Sequence, residues 1–205
     1  KLVQLFNRFA TYNGSSPYLA PGIMNIIPHL EHNLGAAFPD KGMHGITESL
    51  VALAEELGVQ FHYNCPVTEL EPNGRSVKSI TVQGERHLFD SVVSNMDVYP
   101  TYRRLMPTLK APEKALKQER SSSALIFYWG IDRSFEELDL HNIFFSDDYE
   151  AEFAHIFEQY SIYPDPTIYV NISSKEIADD APDGCENWFV MVNVPCNRGQ
   201  DWDAA

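Results

Sequence analysis

The sequence predicts an α/β (α+β) fold in which a mixed or antiparallel sheet is flanked by helices. The first observation is a helical period over residues 45–57, where apolar side chains recur on one face. The second is a change to alternating apolar and polar residues directly after Gly58, which is typical of a strand. The third is a series of separate apolar runs in the second half, joined by loops rich in Asp, Glu and Pro. Several strands with one helical connection among them favour antiparallel pairing.

Two helices are predicted before this block. Residues 1–11 are rich in apolar side chains and predict the end of a helix, which the turn formers of 13–17 terminate. Residues 23–34 have apolar positions at helical spacing and predict a second helix, which Pro28 should kink or shorten.

The block 45–95 predicts one helix followed by short strands. Gly58 stands where a left-handed residue would cap the helix. Asn73 and Gly74 form a dipeptide that is typical of a tight hairpin turn. Strands are predicted at 59–63, 67–70, 77–82 and 91–94.

The second half predicts a sheet with one helix. A Lys- and Glu-rich connector at 110–120 precedes the apolar runs, which predict strands at 124–129, 143–145, 167–172 and 188–194. Residues 149–160 predict the helix, because their apolar side chains share one face. The change in sequence composition near residue 97 predicts a boundary, or seam, between two domains.

Composition and charge exclude several classes of protein. The 205 residues are 44% hydrophobic, which is too apolar for intrinsic disorder. The formal net charge of −14 repels phosphate backbones, so we expect no nucleic-acid partner. The longest apolar run, 124–129, is too short for a membrane-spanning helix. No secretory leader is visible and the three cysteines are scattered, so a cytoplasmic location is expected.

Local motifs alone leave the chemistry open. No Gly-x-Gly-x-x-Gly occurs, so no segment cradles a pyrophosphate by itself. His29 and His32 would lie on one side of a helix and could bind a divalent metal together with a third ligand. The alternative is that they flank a pocket or face water, and because no third ligand can be nominated we expect no metal.

Aromatic side chains cluster on the predicted strands. Phe127 and Trp129 flank Tyr128 on one strand, and further aromatic residues lie on the later ones. Core packing explains most such clusters, whereas the alternation of a strand sends others to the opposite face, where they could line a broad apolar groove. Such a wall suits a long, flat hydrocarbon, so Phe127 and Trp129 are candidate substrate contacts.

Several stretches, in order along nearly the whole chain, resemble the bacterial-type phytoene desaturase family, the FAD-dependent carotenoid desaturases. These are residues 9–17 (FATYNGSSP), 38–43 (FPDKGM), 92–97 (VVSNMD) with 101–103 (TYR), and 181–185 (APDGC) with 190–195 (VMVNVP). Within the family, 121–130 and 140–145 are most similar to a flavobacterial branch of phytoene desaturases and 1-hydroxycarotenoid 3,4-desaturases.

The resemblance implies an internal fragment of a two-domain flavoprotein. The family's dinucleotide fingerprint would precede Lys1 and its C-terminal FAD-contacting segment would follow Ala205. Residues 38–97 would be a lobe of the FAD-binding domain, and 1–37 and 98–205 would belong to the substrate domain. By the same resemblance, Val67 would touch the adenine end of FAD through its backbone.

Further cofactor contacts implied by the resemblance are Asn95, Gly42 and Met43. One departure concerns Lys41, which stands where the family usually has a glycine. If that glycine were needed for a positive φ or for close approach to the cofactor, Lys41 would be unsuitable.

The implied activity is desaturation of a carotenoid precursor, phytoene-like or 1-hydroxylated, by hydride transfer to FAD. A carboxylate near the developing positive charge would stabilise it, and Glu31 is the candidate. Because such substrates reside in bilayers, the complete enzyme should attach peripherally to a membrane surface. The alternatives are a carotenoid isomerase-like flavoprotein, a lipid-binding module without redox activity and, on His29 and His32, a metal hydrolase.

Overall fold

The computed structural model describes residues 1–74 and 76–202. The chain divides into two compact units, of which one comprises Lys1–Glu48 and Arg120–Ala205 and the other comprises Ser49–Glu119. The helices are α1 Leu2–Arg8, α2 Ile26–Leu34, α3 His44–Glu56, α4 Val98–Pro100, α5 Glu113–Leu116 and α6 Tyr149–Ala154. The strands are β1 Val67–Asn73, β2 Ser76–Val82, β3 Glu85–Leu88, β4 Ser123–Ile131, β5 His141–Phe144, β6 Ile168–Asn171 and β7 Glu186–Val194.

The two helices predicted at the N-terminus are present, and the second begins close to Pro28. Helix α1 continues into a 3-10 turn, Phe9–Asn13, which Gly14 ends in the left-handed conformation. A second 3-10 turn, Gly22–Asn25, leads into α2. Because α2 begins at Ile26, Pro28 lies in its first turn, where the missing N–H has no helical partner in any case. Helix α2 is therefore shorter than the predicted 23–34, which agrees with the expectation that Pro28 should kink or shorten it.

The unit Ser49–Glu119 is built on an antiparallel meander in the order β1-β2-β3. The predicted hairpin at Gly74 joins β1 to β2, with Asn73 opposite Ser76 and a glycine φ of +63°. Its core is Leu70, Leu105 and Met106. Because Leu105 and Met106 pack against β1, this unit extends past the expected seam near residue 97. That residues 38–97 form a lobe of an FAD-binding domain stays a prediction.

Three strand assignments in this unit differ from the prediction. Strand β3 was not expected, because its side chains are largely polar and all are exposed. Residues 59–63 and 91–94 are not strands, although their patterns alternate or are apolar. No strand of the described part of the chain pairs with either segment, and Val93 is 93% exposed. An alternating pattern specifies the faces of a strand but does not supply its partner.

The other unit contains a four-stranded sheet in the order β4-β7-β6-β5, in which every neighbouring pair is antiparallel. The predicted apolar runs are these strands, so an antiparallel sheet with flanking helices is confirmed. The predicted helix at 149–160 is α6 followed by a wider turn, His155–Gln159, and it ends at Tyr160 in the left-handed conformation. The buried core beside the sheet is Val170, Ile172 and Val190.

Strand β4 lies at the edge of this sheet and is largely exposed. Phe127 is 44% exposed, Trp129 is 48% exposed and Tyr128 between them is 80% exposed. Core packing therefore does not explain this aromatic cluster, because β4 has a neighbour on one side only and its side chains stay outside the core.

Within the described residues, no helix combines the length and the apolar character needed to cross a bilayer.

Gly14→Ala is expected to lower the free energy of unfolding by about 2 kcal/mol. Gly14 has a φ of +60°, which strains an alanine, and an added Cβ would lie 2.7 Å from the Ser121 Cβ. Gly22→Ala is the matched control, since nothing lies within 4 Å of its added Cβ. Urea unfolding of both variants checks this. Equal stabilities of the two variants would contradict the assigned role of Gly14.

Candidate functional site

A cavity of about 390 Å³ lies against one face of the four-stranded sheet. The register places Ile143 opposite Tyr169 and Tyr169 opposite Met191, so these three side chains share a face. The N-terminal helical segments supply the other wall. The complete lining is Leu5, Arg8, Phe9, Thr11, Tyr12, Glu31, His141, Ile143, Tyr169 and Met191.

Four of the polar side chains of the cavity form two pairs. The Tyr12 hydroxyl donates to Glu31 Oε1 at 3.1 Å, and the Tyr169 hydroxyl lies 2.8 Å from His141 Nδ1. Burial, and then the Glu31 carboxylate, raises the pKa of Tyr12 above its ordinary value. Burial also raises the pKa of Tyr169. Both phenols therefore stay protonated at neutral pH and act as hydrogen-bonding groups rather than as bases.

Glu31, the predicted catalytic carboxylate, lies in this cavity. It is half-buried on α2, and the Tyr12 hydroxyl fixes one of its oxygens. A carboxylate in a largely apolar wall can stabilise a positive charge that develops beside it. The catalytic role of Glu31 stays a prediction.

Phe127 and Trp129, the predicted substrate contacts, are on the opposite face of the sheet. Phe127 is opposite Val190, whereas the cavity residue Met191 is opposite Ile126. Because neighbouring strand residues point to opposite faces, neither aromatic ring lines the cavity. The two rings contact each other, with centroids 6.0 Å apart. Their contact with substrate stays a prediction.

The predicted flavin contacts are divided between the two units. In the first, Gly42 has a φ of +70° and donates its N–H to Pro39 O at 2.8 Å, and Met43 is 62% exposed. An added Cβ at Gly42 would lie 3.8 Å from Ile177 Cδ1, so the backbone conformation rather than close contact favours glycine. Lys41 does not have a positive φ, so a lysine is accommodated there without strain.

In the second unit, Val67 and Asn95 offer groups suited to a nucleotide. The Val67 side chain packs against the Leu70 core, and Val67 is paired with Val82 at the start of β1, an edge strand of its sheet. Asn95 is exposed and offers an amide. Each of these residues offers, within its own unit, a backbone or side-chain group of the kind that binds a nucleotide, while the sequence contains no pyrophosphate loop. The individual roles of these residues stay predictions.

The two histidines considered for a metal site have other neighbours. His29 Nδ1 lies 3.1 Å from Asn33 Nδ2, and the His32 ring lies 6.5 Å from that of Phe6. Among residues 1–74 and 76–202, no three His, Cys, Asp or Glu side chains are grouped so as to hold a metal ion.

The sequence analysis did not single out Arg8, Tyr12, His141 or Met191 as cavity residues. Tyr12 lies within the FATYNGSSP stretch, so the resemblance to the desaturase family could have identified it. The others are brought together by strand register and by the packing of α1, neither of which a local pattern encodes.

Comparison with known proteins identifies the family of this fold. The family described as flavin containing amine oxidoreductase matches residues 1–181. The chain therefore belongs to the flavin containing amine oxidoreductase family. The flavoprotein oxidoreductase class implied by the resemblance is confirmed.

Two curated relatives are more specific. The chain is 58% identical over 203 residues to a 1-hydroxycarotenoid 3,4-desaturase of Flavobacterium sp. (strain P99-3), covering 99% of this chain and 42% of the relative. It is 36% identical over 200 residues to a 4,4'-diapolycopene oxygenase of Methylomonas sp, covering 95% of this chain and 40% of the relative. The chain thus spans about two fifths of the length of these relatives. The resemblance to carotenoid desaturases, including a flavobacterial branch, is confirmed.

A solved structure supports the fold. The crystal structure of an oxidoreductase from Methanosarcina mazei matches with a TM-score of 0.63 at 14% identity, covering 95% of this chain and 44% of that one. At this identity the likeness concerns the fold alone.

Proposed function

We propose that this chain is the carotenoid-binding part of a flavin-dependent desaturase. The complete enzyme removes two hydrogens from adjacent carbons of an isoprenoid chain, in a phytoene-like or 1-hydroxylated carotenoid. Family membership and 58% identity to a protein named as a carotenoid desaturase support the proposal.

The observation that carries the proposal is the lining of the cavity. Leu5 and Phe9 form apolar surface on the helical side, and Ile143 and Met191 form it on the sheet side. An apolar cavity with a few fixed polar groups binds hydrocarbon and excludes water from the reacting carbons. Its volume of about 390 Å³ is at the low end of the roughly 300–1,000 Å³ that is usual for ligand sites, so it suits one segment of a long chain.

The chain's own residues would orient the substrate and respond to its charge. Bound FAD supplies the hydride acceptor for a desaturation. Glu31, held by the Tyr12 hydroxyl, offers a negative charge to the carbon chain as positive charge develops on it.

We further propose that the complete protein works at the cytoplasmic surface of a membrane. Long hydrocarbons partition from water into bilayers, so a peripheral position gives access to the substrate. Several apolar side chains of the α1 and α2 region are exposed, including Leu2 at 69%, Leu34 at 80% and Ile23 at 70%. Flotation of the complete protein with lipid vesicles tests this, and full recovery of the protein without lipid would contradict it.

The test of function is pigment formation by the complete protein in bacteria that accumulate a carotenoid precursor. A newly conjugated carotenoid and a flavin spectrum of the purified protein support the proposal. An isomer of the same oxidation state would favour the isomerase-like alternative. Bound lipid without flavin or pigment change would favour the lipid-binding module.

Leu5→Trp tests whether the substrate uses this cavity. The larger side chain fills part of the space, so kcat/KM is expected to fall about tenfold or more, as for other overpacked sites. Val3→Trp is the matched control on the same helix, because Val3 is 72% exposed and does not line the cavity. Equal activity of both variants would show that the carotenoid binds elsewhere.

A further inference from the structure

The cavity contains a buried cation that the proposed desaturation does not use. Arg8, the last residue of α1, lines the cavity and is only 8% exposed. Its Nη1 has no partner at hydrogen-bonding geometry among the described residues. The guanidinium also lies near the buried Tyr149 hydroxyl, where it opposes the effect of burial on the pKa of that group. No carboxylate of residues 1–74 or 76–202 forms an ion pair with it. A guanidinium remains protonated in proteins, so this donor stays charged.

The other polar groups of the cavity are already paired. The Tyr12 hydroxyl donates to Glu31, and the Tyr169 hydroxyl lies at hydrogen-bond distance from His141. The positive charge of Arg8 acts on both phenols, where it opposes the effect of burial on their pKa values. Among the residues that line the cavity, Arg8 is therefore the one whose described donor, Nη1, lacks a partner.

An unpaired buried donor favours a particular ligand chemistry. A ligand that is purely hydrocarbon would fill the cavity but leave Nη1 without a partner, which costs free energy. A ligand with one acceptor oxygen satisfies it. Glu31 lines the same cavity, so its negative charge disfavours a second anion and favours a neutral oxygen.

We propose that Arg8 is a specificity-determining residue whose Nη1 donates a hydrogen bond to a hydroxyl oxygen carried by the carotenoid substrate. This inference rests on the proposed function and deepens it, since it selects an oxygenated carotenoid over a hydrocarbon such as phytoene. The apolar residues Leu5, Phe9, Ile143 and Met191 hold the adjoining hydrocarbon, and Arg8 recognises the oxygen.

The test compares two carotenoids that differ only in one hydroxyl group, using the complete, flavin-loaded protein. The wild-type enzyme is expected to have a kcat/KM about 10- to 100-fold higher for the hydroxylated compound, as for one charge-assisted hydrogen bond. Arg8→Met keeps an unbranched side chain and removes the donor. It should abolish most of this preference, because kcat/KM falls by a larger factor for the hydroxylated compound than for the hydrocarbon.

A binding measurement and two further variants separate recognition from folding. The Kd of each carotenoid, from quenching of tryptophan fluorescence, should show the same loss of preference in Arg8→Met. Arg8→Lys retains a donor and should keep part of the preference, and it replaces Arg8→Met if that variant does not fold. Arg133→Met is the control, because exposed Arg133 packs over the Phe135 ring, away from the cavity lining.

The outcomes distinguish this inference from the proposed function. A wild-type enzyme that desaturates both compounds equally well overturns the role of Arg8 and leaves the proposed function intact. A parallel fall for both compounds in Arg8→Met and Arg8→Lys also overturns it, since Arg8 would then be structural. A protein that oxidises neither compound overturns both.

Discussion

Glu152→Ala is expected to lower the free energy of unfolding by about 3–5 kcal/mol, because it removes the acceptor at the centre of a buried hydrogen-bond network. Glu152 lies on α6 and is 1% exposed. It accepts hydrogen bonds from Ser146 Oγ at 2.9 Å, Thr167 Oγ1 at 2.6 Å and Thr167 N at 3.0 Å. Alanine leaves these donors buried without an acceptor and opens a cavity as well.

Two variants make this expectation specific. Glu150→Ala removes an exposed carboxylate from the same helix and should change the free energy of unfolding by less than about 0.5 kcal/mol. Glu152→Gln keeps one acceptor oxygen and should fall between the two alanine variants. Denaturant unfolding followed by circular dichroism measures all three. A Glu152→Ala protein as stable as Glu150→Ala would contradict the network.

Glu186 is expected to make stability depend on pH in the acid range. Burial alone would raise the pKa of this carboxyl. Four hydrogen-bond donors outweigh burial and lower the pKa from 4.5 to about 2, namely Lys175, the Phe135 backbone, Trp188 and Ser134. The contacts measure 2.7 Å to Lys175 Nζ, 2.8 Å to Phe135 N, 2.8 Å to Trp188 Nε1 and 3.0 Å to Ser134 Oγ. Glu186 is 3% exposed, so little water screens these interactions.

The sign of the pH effect follows from the direction of this shift. Because the folded-state pKa is lowered, the stabilisation is present above about pH 4.5 and is lost as the pH falls towards 2. The loss is on the order of 3 kcal/mol, from about 1.4 kcal/mol per unit of pKa. In Glu186→Gln this part of the dependence should disappear, so the stability difference from wild type shrinks on acidification.

The control for Glu186 is Glu137→Gln, which changes an exposed carboxylate in the loop before β5. Its stability should follow that of the wild-type protein at every pH. Urea unfolding at a series of pH values between 7 and 3 provides the data. A Glu186→Gln protein whose stability falls with pH as steeply as wild type would show that Glu186 is not the titrating group.

Much of the fold could be predicted because its elements are locally encoded. The helical period of 45–57 corresponds to α3, and the apolar runs of the second half correspond to β4 to β7. Strand order could not be predicted, since β7 lies between β4 and β6 and only the folded chain brings them together. Residues 59–63 show that a local pattern can also predict a strand that does not form. Their alternation is typical of a strand, but no strand of the described chain pairs with them.

The site was less accessible to sequence reasoning than the fold. Glu31 was reached through the resemblance and lies in the cavity, whereas Phe127 and Trp129 were chosen from composition and lie on the other face. A shift of one residue along β4 reverses the face, and nothing in the run 124–129 distinguishes the two. Arg8 resembles an ordinary helix-end arginine until its burial is known.

The central claim is that this cavity belongs to a carotenoid desaturase, and anaerobic reduction of bound flavin by substrate tests it most directly. The complete protein, loaded with FAD and freed of oxygen, is mixed with a hydroxylated carotenoid in vesicles, and the visible spectrum is followed. We expect the absorbance of oxidised flavin to bleach while the carotenoid gains a conjugated double bond, in equal amounts and at a lower rate in Leu5→Trp. A flavin that stays oxidised with every carotenoid offered would contradict the desaturase account.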